Sequence, residues 1–183
     1  MGGGSKVVLD AAGVQRCLRR MASEIVDALE PGVPLLLVGI RRGGVTLAHR
    51  LAALISEAEG KAPRVGAIDI TLYRYDLYTG LEKPSLGPTE LPVDIEGCGI
   101  VLVDDVLYTG RTVRAALGVL HDFGRPRWIR LAALVDRGGR ELPIAGDYVG
   151  RKVSAARGDK VVVQSGKEPQ DDDRVWVEPG GLR

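Results

Sequence analysis

Two adjacent carboxylates followed by a turn of glycine and hydroxyl residues carry the clearest chemistry in this sequence. Asp104 and Asp105 follow an apolar run at 101–103, and Thr109-Gly110-Arg111-Thr112 comes shortly afterwards. Carboxylates accept hydrogen bonds from hydroxyl groups, and backbone N–H groups at the start of a helix favour a phosphate. The stretch is therefore predicted to hold a diol beside a phosphate, as a sugar phosphate would present them.

An apolar strand that ends in two acids is also typical of a Walker B element. That interpretation requires a Walker A motif, in which a glycine precedes a Gly-Lys-Ser/Thr sequence. Gly60-Lys61 and Gly166-Lys167 lack both the preceding glycine and the following hydroxyl residue. No Gly-x-Gly-x-x-Gly motif follows a strand either, so dinucleotide binding is not supported.

A second turn carries cations at the end of a predicted strand. In the stretch Val38-Gly39-Ile40-Arg41-Arg42-Gly43-Gly44, guanidinium groups and glycine N–H groups would suit a diphosphate. Taken alone, the same residues fit a surface turn with solvated arginines better. The turn alone does not decide between the two interpretations.

The elements that must position these groups alternate between helix and strand. Helical spacing begins after a predicted N-cap at Asp10 and stops at Pro31-Gly32, and further helices are predicted after Gly43-Gly44 and after Gly110. Apolar runs predict strands at 35–40, 65–72, 99–103 and 128–135. This alternation predicts an α/β fold, a doubly wound and mainly parallel sheet, with ligands beyond the carboxyl ends of the strands.

Length and composition indicate one domain. The chain has 183 residues, of which 45% are hydrophobic and 27% charged, and we expect a single domain over 1–183 with a flexible lead-in at 1–6. With 25 Lys and Arg against 24 Asp and Glu, the net charge predicts no general attraction to nucleic acid or membrane. The only cysteines, Cys17 and Cys98, favour a reducing cytoplasm, and no apolar run is long enough for a membrane span.

Two segments fit the alternating scheme less simply. Residues 73–92 contain glycines and prolines without sustained periodicity, and a long loop of this kind in a compact domain is usually functional or disordered. Beyond Asp136, short strand-like pieces are predicted to form a small subdomain over the sheet edge.

The pairing of Asp104-Asp105 with Thr109-Gly110-Arg111-Thr112 closely resembles the phosphoribosyl diphosphate (PRPP) signature of type I phosphoribosyltransferases. Longer stretches narrow the resemblance to the PyrR family of bifunctional pyrimidine operon regulators and uracil phosphoribosyltransferases. They are 69–77, 101–116 and 134–144, and the likeness runs from about Val7 to Val163.

The resemblance implies roles for individual residues. Asp104 and Asp105 would hold the ribose hydroxyls, with Asp105 nearest the reacting centre and the favoured acid/base group. The 5′-phosphate would bind to residues 106–112, here called the phosphate loop: Val106, Leu107, Tyr108, Thr109, Gly110, Arg111 and Thr112. Arg41, Arg42 and Gly43 would face the leaving pyrophosphate, whose charge Mg²⁺ neutralises.

The resemblance also implies a closing loop and a hood. Residues 73–92 would form a mobile loop over PRPP, with Arg74 as a candidate for screening the diphosphate charge. Residues 136–165 would form a C-terminal hood over uracil, with Arg137, Tyr148 and Val149 near the substrate and Arg137 among the catalytic candidates. The alternatives are that Arg137 pairs with Asp136 or Glu141 and that Tyr148 belongs to the core.

The regulatory role of the family implies binding to pyrimidine-operon messenger RNA leaders when a uridine nucleotide occupies the site. The candidate RNA-binding residues are Arg19, Arg20, Arg140 and Arg151. This sequence departs from the attenuating members at several positions: Arg19 and Ser23 replace Thr and His, Gly139 and Ala145 replace His and Arg, and Gly43 replaces Arg. Because these changes remove polar contacts, a retained RNA role and a merely solvated arginine-rich face both stay open.

Three functions are therefore compared. The favoured one is a PyrR-type uracil phosphoribosyltransferase that converts uracil and PRPP into UMP and pyrophosphate and also carries the regulatory role. The alternatives are an RNA-binding regulator that senses uridine nucleotides with little catalysis, and a phosphoribosyltransferase for another base, such as a purine or orotate. The resemblance implies a cytoplasmic homodimer or an assembly of dimers.

Overall fold

The protein folds around a central parallel sheet with helices on both faces. The computed structural model describes residues 5–41, 43–70 and 89–180. In chain order the elements are β1 (Lys6–Leu9), α1 (Ala11–Asp27), β2 (Leu35–Ile40), α2 (Gly43–Glu59), β3 (Arg64–Ile68), β4 (Gly99–Leu107), α3 (Arg111–Phe123), β5 (Trp128–Asp136), β6 (Tyr148–Lys152), β7 (Lys160–Gln164) and β8 (Arg174–Glu178). No helix in these ranges has both the length and the apolar character that crossing a membrane requires.

The central sheet has five parallel strands in the order β3-β2-β4-β5-β6. Successive side chains of a strand point to opposite faces. Leu37, Val101 and Val103 pack with α1 and α2 on one face, whereas Leu36 and Leu102 pack with α3 on the other. The doubly wound sheet predicted from the sequence is therefore confirmed.

Helix α1 begins where the sequence predicts. The Asp10 side chain accepts a hydrogen bond of 2.7 Å from the Gly13 N–H, which caps the helix. The helix ends at Asp27, ahead of Pro31. Helix α2 differs from the expectation in one respect, because Gly43 and Gly44 form its first turn rather than a linker before it.

Strand β4 is longer than predicted. It continues to Leu107 because it pairs with β5 as far as Leu107 and Asp136, while its pairing with β2 stops at Val103. Asp104 and Asp105 therefore lie within a strand and not in the loop after it. Strand β3 differs in the opposite sense, since it ends at Ile68 instead of continuing toward Leu72.

The C-terminal part does not form one hood. Strand β6 joins the central sheet as a parallel edge strand beside β5. Strands β7 and β8 pair with β1 in a separate antiparallel sheet of three strands, ordered β1-β8-β7. Lys6, which was expected to lie in a flexible lead-in, pairs with Val177 in this second sheet. Residues 136–165 are thus divided between two sheets and a connecting loop.

A buried ion pair joins the second sheet to the helices. Arg50 of α2 donates to Asp173, just before β8, at 2.5 Å, and the two side chains are 3% and 1% exposed. Arg50 also donates to Gln15 of α1, while the N–H groups of Gly166 and Gln170 donate to Asp173. These bonds satisfy the carboxylate and fasten the loop before β8 to the helix layer.

We expect Asp173→Ala to lower the free energy of unfolding by about 3–5 kcal/mol, because it leaves the Arg50 guanidinium buried without its counter-charge. Urea denaturation followed by circular dichroism measures this loss. Asp171→Ala is the matched control, since Asp171 is an exposed acid of the same loop, and we expect it to change stability by less than about 0.5 kcal/mol. Equal effects of the two substitutions would contradict a structural role for the buried pair.

Candidate functional site

The two carboxylates at the end of β4 point to opposite faces of the sheet. Asp104 is 7% exposed and accepts the Asp105 N–H at 3.0 Å, and Asp105 accepts the Val106 N–H at 2.8 Å. Asp104 shares the face of Leu102 and α3, while Asp105 shares the face of Val103 and α2. The two side chains therefore have different surroundings, Asp104 the start of α3 and Asp105 the start of α2.

A cavity of about 350 Å³ opens beside Asp104 at the start of α3. It is lined by Asp104, Val106, Leu107, Tyr108, Thr109, Gly110, Arg111, Thr112, Val113 and Glu141. The structure thus brings the whole predicted phosphate loop together with Asp104. Glu141 is an additional lining residue, which the sequence analysis considered only as a partner for Arg137.

The phosphate loop has the backbone of an anion site. Gly110, the N-cap residue of α3, has a φ of 92°, in the left-handed region, and has no side chain to cap the helix. The Arg111 N–H donates to the Thr109 hydroxyl at 3.3 Å. Uncapped N–H groups and the positive end of the helix dipole favour a phosphate at this position.

Asp105 lies against the first residue of α2. A β-carbon added to Gly43 would lie 2.3 Å from the Asp105 Oδ2 atom, and one added to Gly44 would lie 2.1 Å from the Val103 carbonyl oxygen. The arginine that the PyrR pattern has at position 43 therefore finds no room here unless Asp105 moves. This close packing explains the glycine at position 43 in physical terms.

The predicted pyrophosphate residues are not all gathered in this place. Arg41 donates to Glu90 at 3.1 Å and borders a different cavity, of about 590 Å³, together with His49 and Lys167. Arg42 lies outside the described residues. The predicted mobile loop 73–92 lies outside them as well, Arg74 included, except for residues 89–92.

Residues 137–144, here called the anchoring segment, are hydrogen-bonded onto the phosphate loop. The Leu107 carbonyl accepts the Arg137 N–H at 3.1 Å. The Thr109 carbonyl accepts the N–H groups of Glu141 and Leu142, at 3.0 and 3.1 Å. Three backbone hydrogen bonds therefore attach the segment to the phosphate loop.

Arg140 is bonded within the protein. Its guanidinium pairs with Asp136 at 2.6 Å and donates to the carbonyls of Tyr108, at 2.7 Å, and Ile144, at 2.8 Å. Burial raises the pKa of the Asp136 carboxyl, but hydrogen bonds from Arg140 and the Gly138 N–H outweigh this effect and hold that pKa below its usual value. Asp136 thus remains ionised and keeps Arg140 over the phosphate loop.

Arg137 stacks on the phosphate loop. Its guanidinium lies 3.8 Å from the centre of the Tyr108 ring and donates to the carbonyls of Ala156 and Asp159. Its Nε atom is buried and has no hydrogen-bond partner in the described part of the chain. The alternative pairing of Arg137 with Asp136 or Glu141 is wrong, because Arg140 and Arg111 take those two carboxylates.

Tyr148 belongs to the core, so its predicted place beside uracil is wrong. Its side chain packs on the α1 face of the sheet at 6% exposure, and its hydroxyl bonds to Arg130 at 3.1 Å. The alternation of β6 turns Val149 to the opposite face, where it meets Gly146. The alternation of side chains along β6, an edge strand of the central sheet, decides that Tyr148 and not Val149 joins this core.

The arginines predicted to bind RNA fall into two groups. In the first group the guanidinium groups are bonded within the protein. Arg140 bonds as described above, and Arg20 bonds to Glu24 and to the carbonyls of Val149 and Gly150. Arg19 is exposed and lies 3.9 Å from Glu57, and Arg151 is exposed on the edge strand.

A set of arginines surrounds Cys17 between α1 and β6. Burial raises the pKa of the Cys17 thiol, whereas the charges of Arg20, Arg151 and Arg16 lower it to a smaller extent. The thiol donates to the Gly150 carbonyl at 3.3 Å. These charges identify one basic surface, which α1 and β6 form together.

Comparisons with known proteins agree with this geometry. The model of the phosphoribosyl transferase domain matches residues 6–167. The chain is 53% identical to the "Bifunctional protein PyrR" of Geobacter sp. (strain M21), over 86% of this chain and 89% of that protein. It is 51% identical to the protein of the same name from Thermus aquaticus, over 94% of this chain and 96% of that protein.

A solved structure supports the fold. The hypoxanthine phosphoribosyltransferase of Trypanosoma cruzi superposes with a TM-score of 0.71 at 20% identity, covering 96% of this chain and 97% of that one. At this identity the likeness concerns the fold alone.

We expect Gly43→Ala to lower the free energy of unfolding by about 1–3 kcal/mol, because the added methyl group overpacks the contact with Asp105. Helix propensity alone predicts the opposite sign, a gain of up to about 1 kcal/mol. Gly158→Ala is the control, since the nearest atom to a β-carbon there is 3.7 Å away. Chemical denaturation measures the free energy of unfolding of each variant and distinguishes the two expectations. A stabilised Gly43→Ala protein would refute the close contact.

Proposed function

The chain belongs to the phosphoribosyl transferase family and, within it, to the PyrR proteins, and from this we propose that it is a uracil phosphoribosyltransferase. It converts uracil and PRPP into UMP and pyrophosphate. The observation that carries this proposal is the cavity that combines the Asp104 carboxylate with the uncapped start of α3. That combination suits a sugar hydroxyl and a 5′-phosphate on one ligand.

The two carboxylates divide the work along the ligand. Asp104 faces the cavity of the phosphate loop and accepts a ribose hydroxyl there. Asp105 lies at the start of α2, where helix N–H groups favour the departing pyrophosphate. In this proposal Asp104 borders the ribose on the side of its 5′-phosphate, Asp105 borders it on the side of the pyrophosphate, and Asp105 remains the acid/base candidate.

The reaction forms a bond from uracil N1 to the ribose C1 as the bond from C1 to the pyrophosphate oxygen breaks. Positive charge builds on the sugar ring in between, and uracil N1 loses its proton. The neighbouring carboxylates stabilise that charge, and positioning of the two reactants supplies much of the remaining acceleration.

Mg²⁺ fits the donor set of this site. The described part of the chain has no cluster of three or more His, Cys, Asp or Glu residues that would form a metal cage. Mg²⁺ commonly binds one or two carboxylates together with substrate phosphates and waters. Asp104 and Asp105 supply such carboxylates, and the ion would neutralise the leaving diphosphate.

The remaining site residues keep supporting roles in this proposal. Arg137 positions the phosphate loop through Tyr108 and stands at the border of the uracil site. Val149 lies on the α3 face of the sheet, opposite to Tyr148. Arg41, Arg42 and Arg74 are our candidates for the diphosphate charge.

The free thiols Cys17 and Cys98 support a reducing cytoplasm as the location, and we propose a homodimer or an assembly of dimers.

We expect purified protein to release pyrophosphate from PRPP and Mg²⁺ with uracil, and not with hypoxanthine or orotate. Asp105→Asn should lower kcat/KM by roughly 100-fold or more, because it removes the charge and the proton acceptor. Asp171→Asn, at an exposed acid away from the cavity, should leave kcat/KM unchanged. Turnover with another base in place of uracil would overturn the substrate assignment. Absence of turnover with every base would overturn the proposal that the protein is a phosphoribosyltransferase.

We propose RNA binding as a second function, supported by the basic surface of α1 and β6. Arg16, Arg19 and Arg151 are exposed on it. Clustered arginines favour the phosphate backbone of RNA, and regulation of pyrimidine genes would require this affinity to depend on UMP. The internal bonds of Arg140 argue against a direct RNA contact by that residue.

We expect a pyrimidine-operon leader transcript to bind more tightly in the presence of UMP, and Arg151→Gln to weaken that binding. Fluorescence anisotropy over a series of salt concentrations measures both effects. Arg157→Gln is the control, because Arg157 is also exposed but is not among the arginines that act on Cys17. Affinity that ignores UMP and leader sequence would reduce the second function to nonspecific phosphate contact.

A further inference from the structure

The cavity at the start of α3, here called the phosphate cavity, is lined by an ion pair. The Arg111 Nε atom donates to the Glu141 carboxylate at 2.6 Å, and both side chains line the cavity. The two side chains are 58% and 50% exposed, so either can exchange partners with a dissolved ligand. Arg111 is therefore already paired before any phosphate arrives.

The backbone holds Glu141 in this position. Its N–H donates to the Thr109 carbonyl at 3.0 Å, and the next residue, Leu142, donates to the same oxygen at 3.1 Å. The carboxylate belongs to the anchoring segment, but its main chain is attached to the phosphate loop itself. Its proximity to Arg111 thus follows from the fold rather than from a chance contact of two long side chains.

The charges of the cavity explain why this pairing matters. Among the described residues, the charged side chains that line it are Asp104, Glu141 and Arg111, which are two carboxylates and one cation. A phosphate therefore finds attraction mainly in the N–H groups at the start of α3 and meets net negative side-chain charge. Removal of one carboxylate would bring the summed charge of these three side chains to zero.

We propose that Glu141 sets the affinity of the site for 5′-phosphates by competing with the ligand for Arg111. The ligand phosphate replaces the Glu141 carboxylate as the partner of Arg111, and the carboxylate returns to Arg111 as the nucleotide leaves. This inference rests on the proposed function, because it assigns the cavity to a phosphate. Its consequence is weaker retention of UMP and faster product release.

The test measures the binding of inorganic phosphate and of ribose 5-phosphate by calorimetry at low ionic strength. Glu141→Gln should bind both probes roughly two- to fivefold more tightly, a size set by the exposure of the pair. The gain should shrink as added salt screens the charges. Glu30→Gln is the matched control, since Glu30 pairs with Arg127 at 2.8 Å with similar exposure, away from the cavity.

A double-substitution cycle with Arg111→Gln isolates the competition. In that background most of the gain from Glu141→Gln should disappear, because Arg111 is no longer there to compete for and only the smaller relief of charge repulsion remains. An equal gain in both backgrounds would indicate simple repulsion and would overturn the proposal, as would unchanged or weaker binding by Glu141→Gln alone. If neither probe binds to any variant, the assignment of the phosphate site fails. If the probes bind but Glu141→Gln changes nothing, only the role of Glu141 fails.

Discussion

The close approach of helix α2 to strands β2 and β4 is the constraint on which the site depends. A β-carbon at Gly39 would lie 2.4 Å from the Val45 Cα atom, and one at Gly44 would lie 2.1 Å from the Val103 carbonyl oxygen. Only glycine permits these distances, and they bring the start of α2 directly beside the Asp105 carboxylate. The phosphate loop begins next to it, because β4 stays paired with β5 as far as Leu107.

A second consequence of the extended β4–β5 pairing is the link between the phosphate loop and the chain after β5. The carbonyls of residues 107–109 accept hydrogen bonds from the anchoring segment and from the Arg140 guanidinium. Asp136 at the end of β5 holds that guanidinium in place. One hydrogen-bonded unit therefore joins the anion site, the Tyr108 ring and Glu141.

Local patterns predicted much of the fold. The apolar run of β2 and the capped start of α1 were recognised because neighbouring residues carry the whole signal. The end of β4 was missed because pairing with β5, and not hydrophobicity, continues that strand through two acids. Strand β1 was missed because it is short and its partner β8 lies near the other end of the chain. A strand-like piece at β6 was expected, but its pairing with β5 in the central sheet was not.

The sequence by itself determined the doubly wound sheet and the composition of the phosphate loop, since spacing, glycines and acids are local properties. Tertiary structure decided which side chains share a site. Asp104 and Asp105 are adjacent in sequence yet face different helices, and Tyr148 is turned into the core by the pairing of its strand. Glu141 meets Arg111 across 30 residues, through backbone bonds to Thr109 that no periodicity encodes. Hydrogen bonds between residues distant in sequence therefore determine which charged side chains line the cavity.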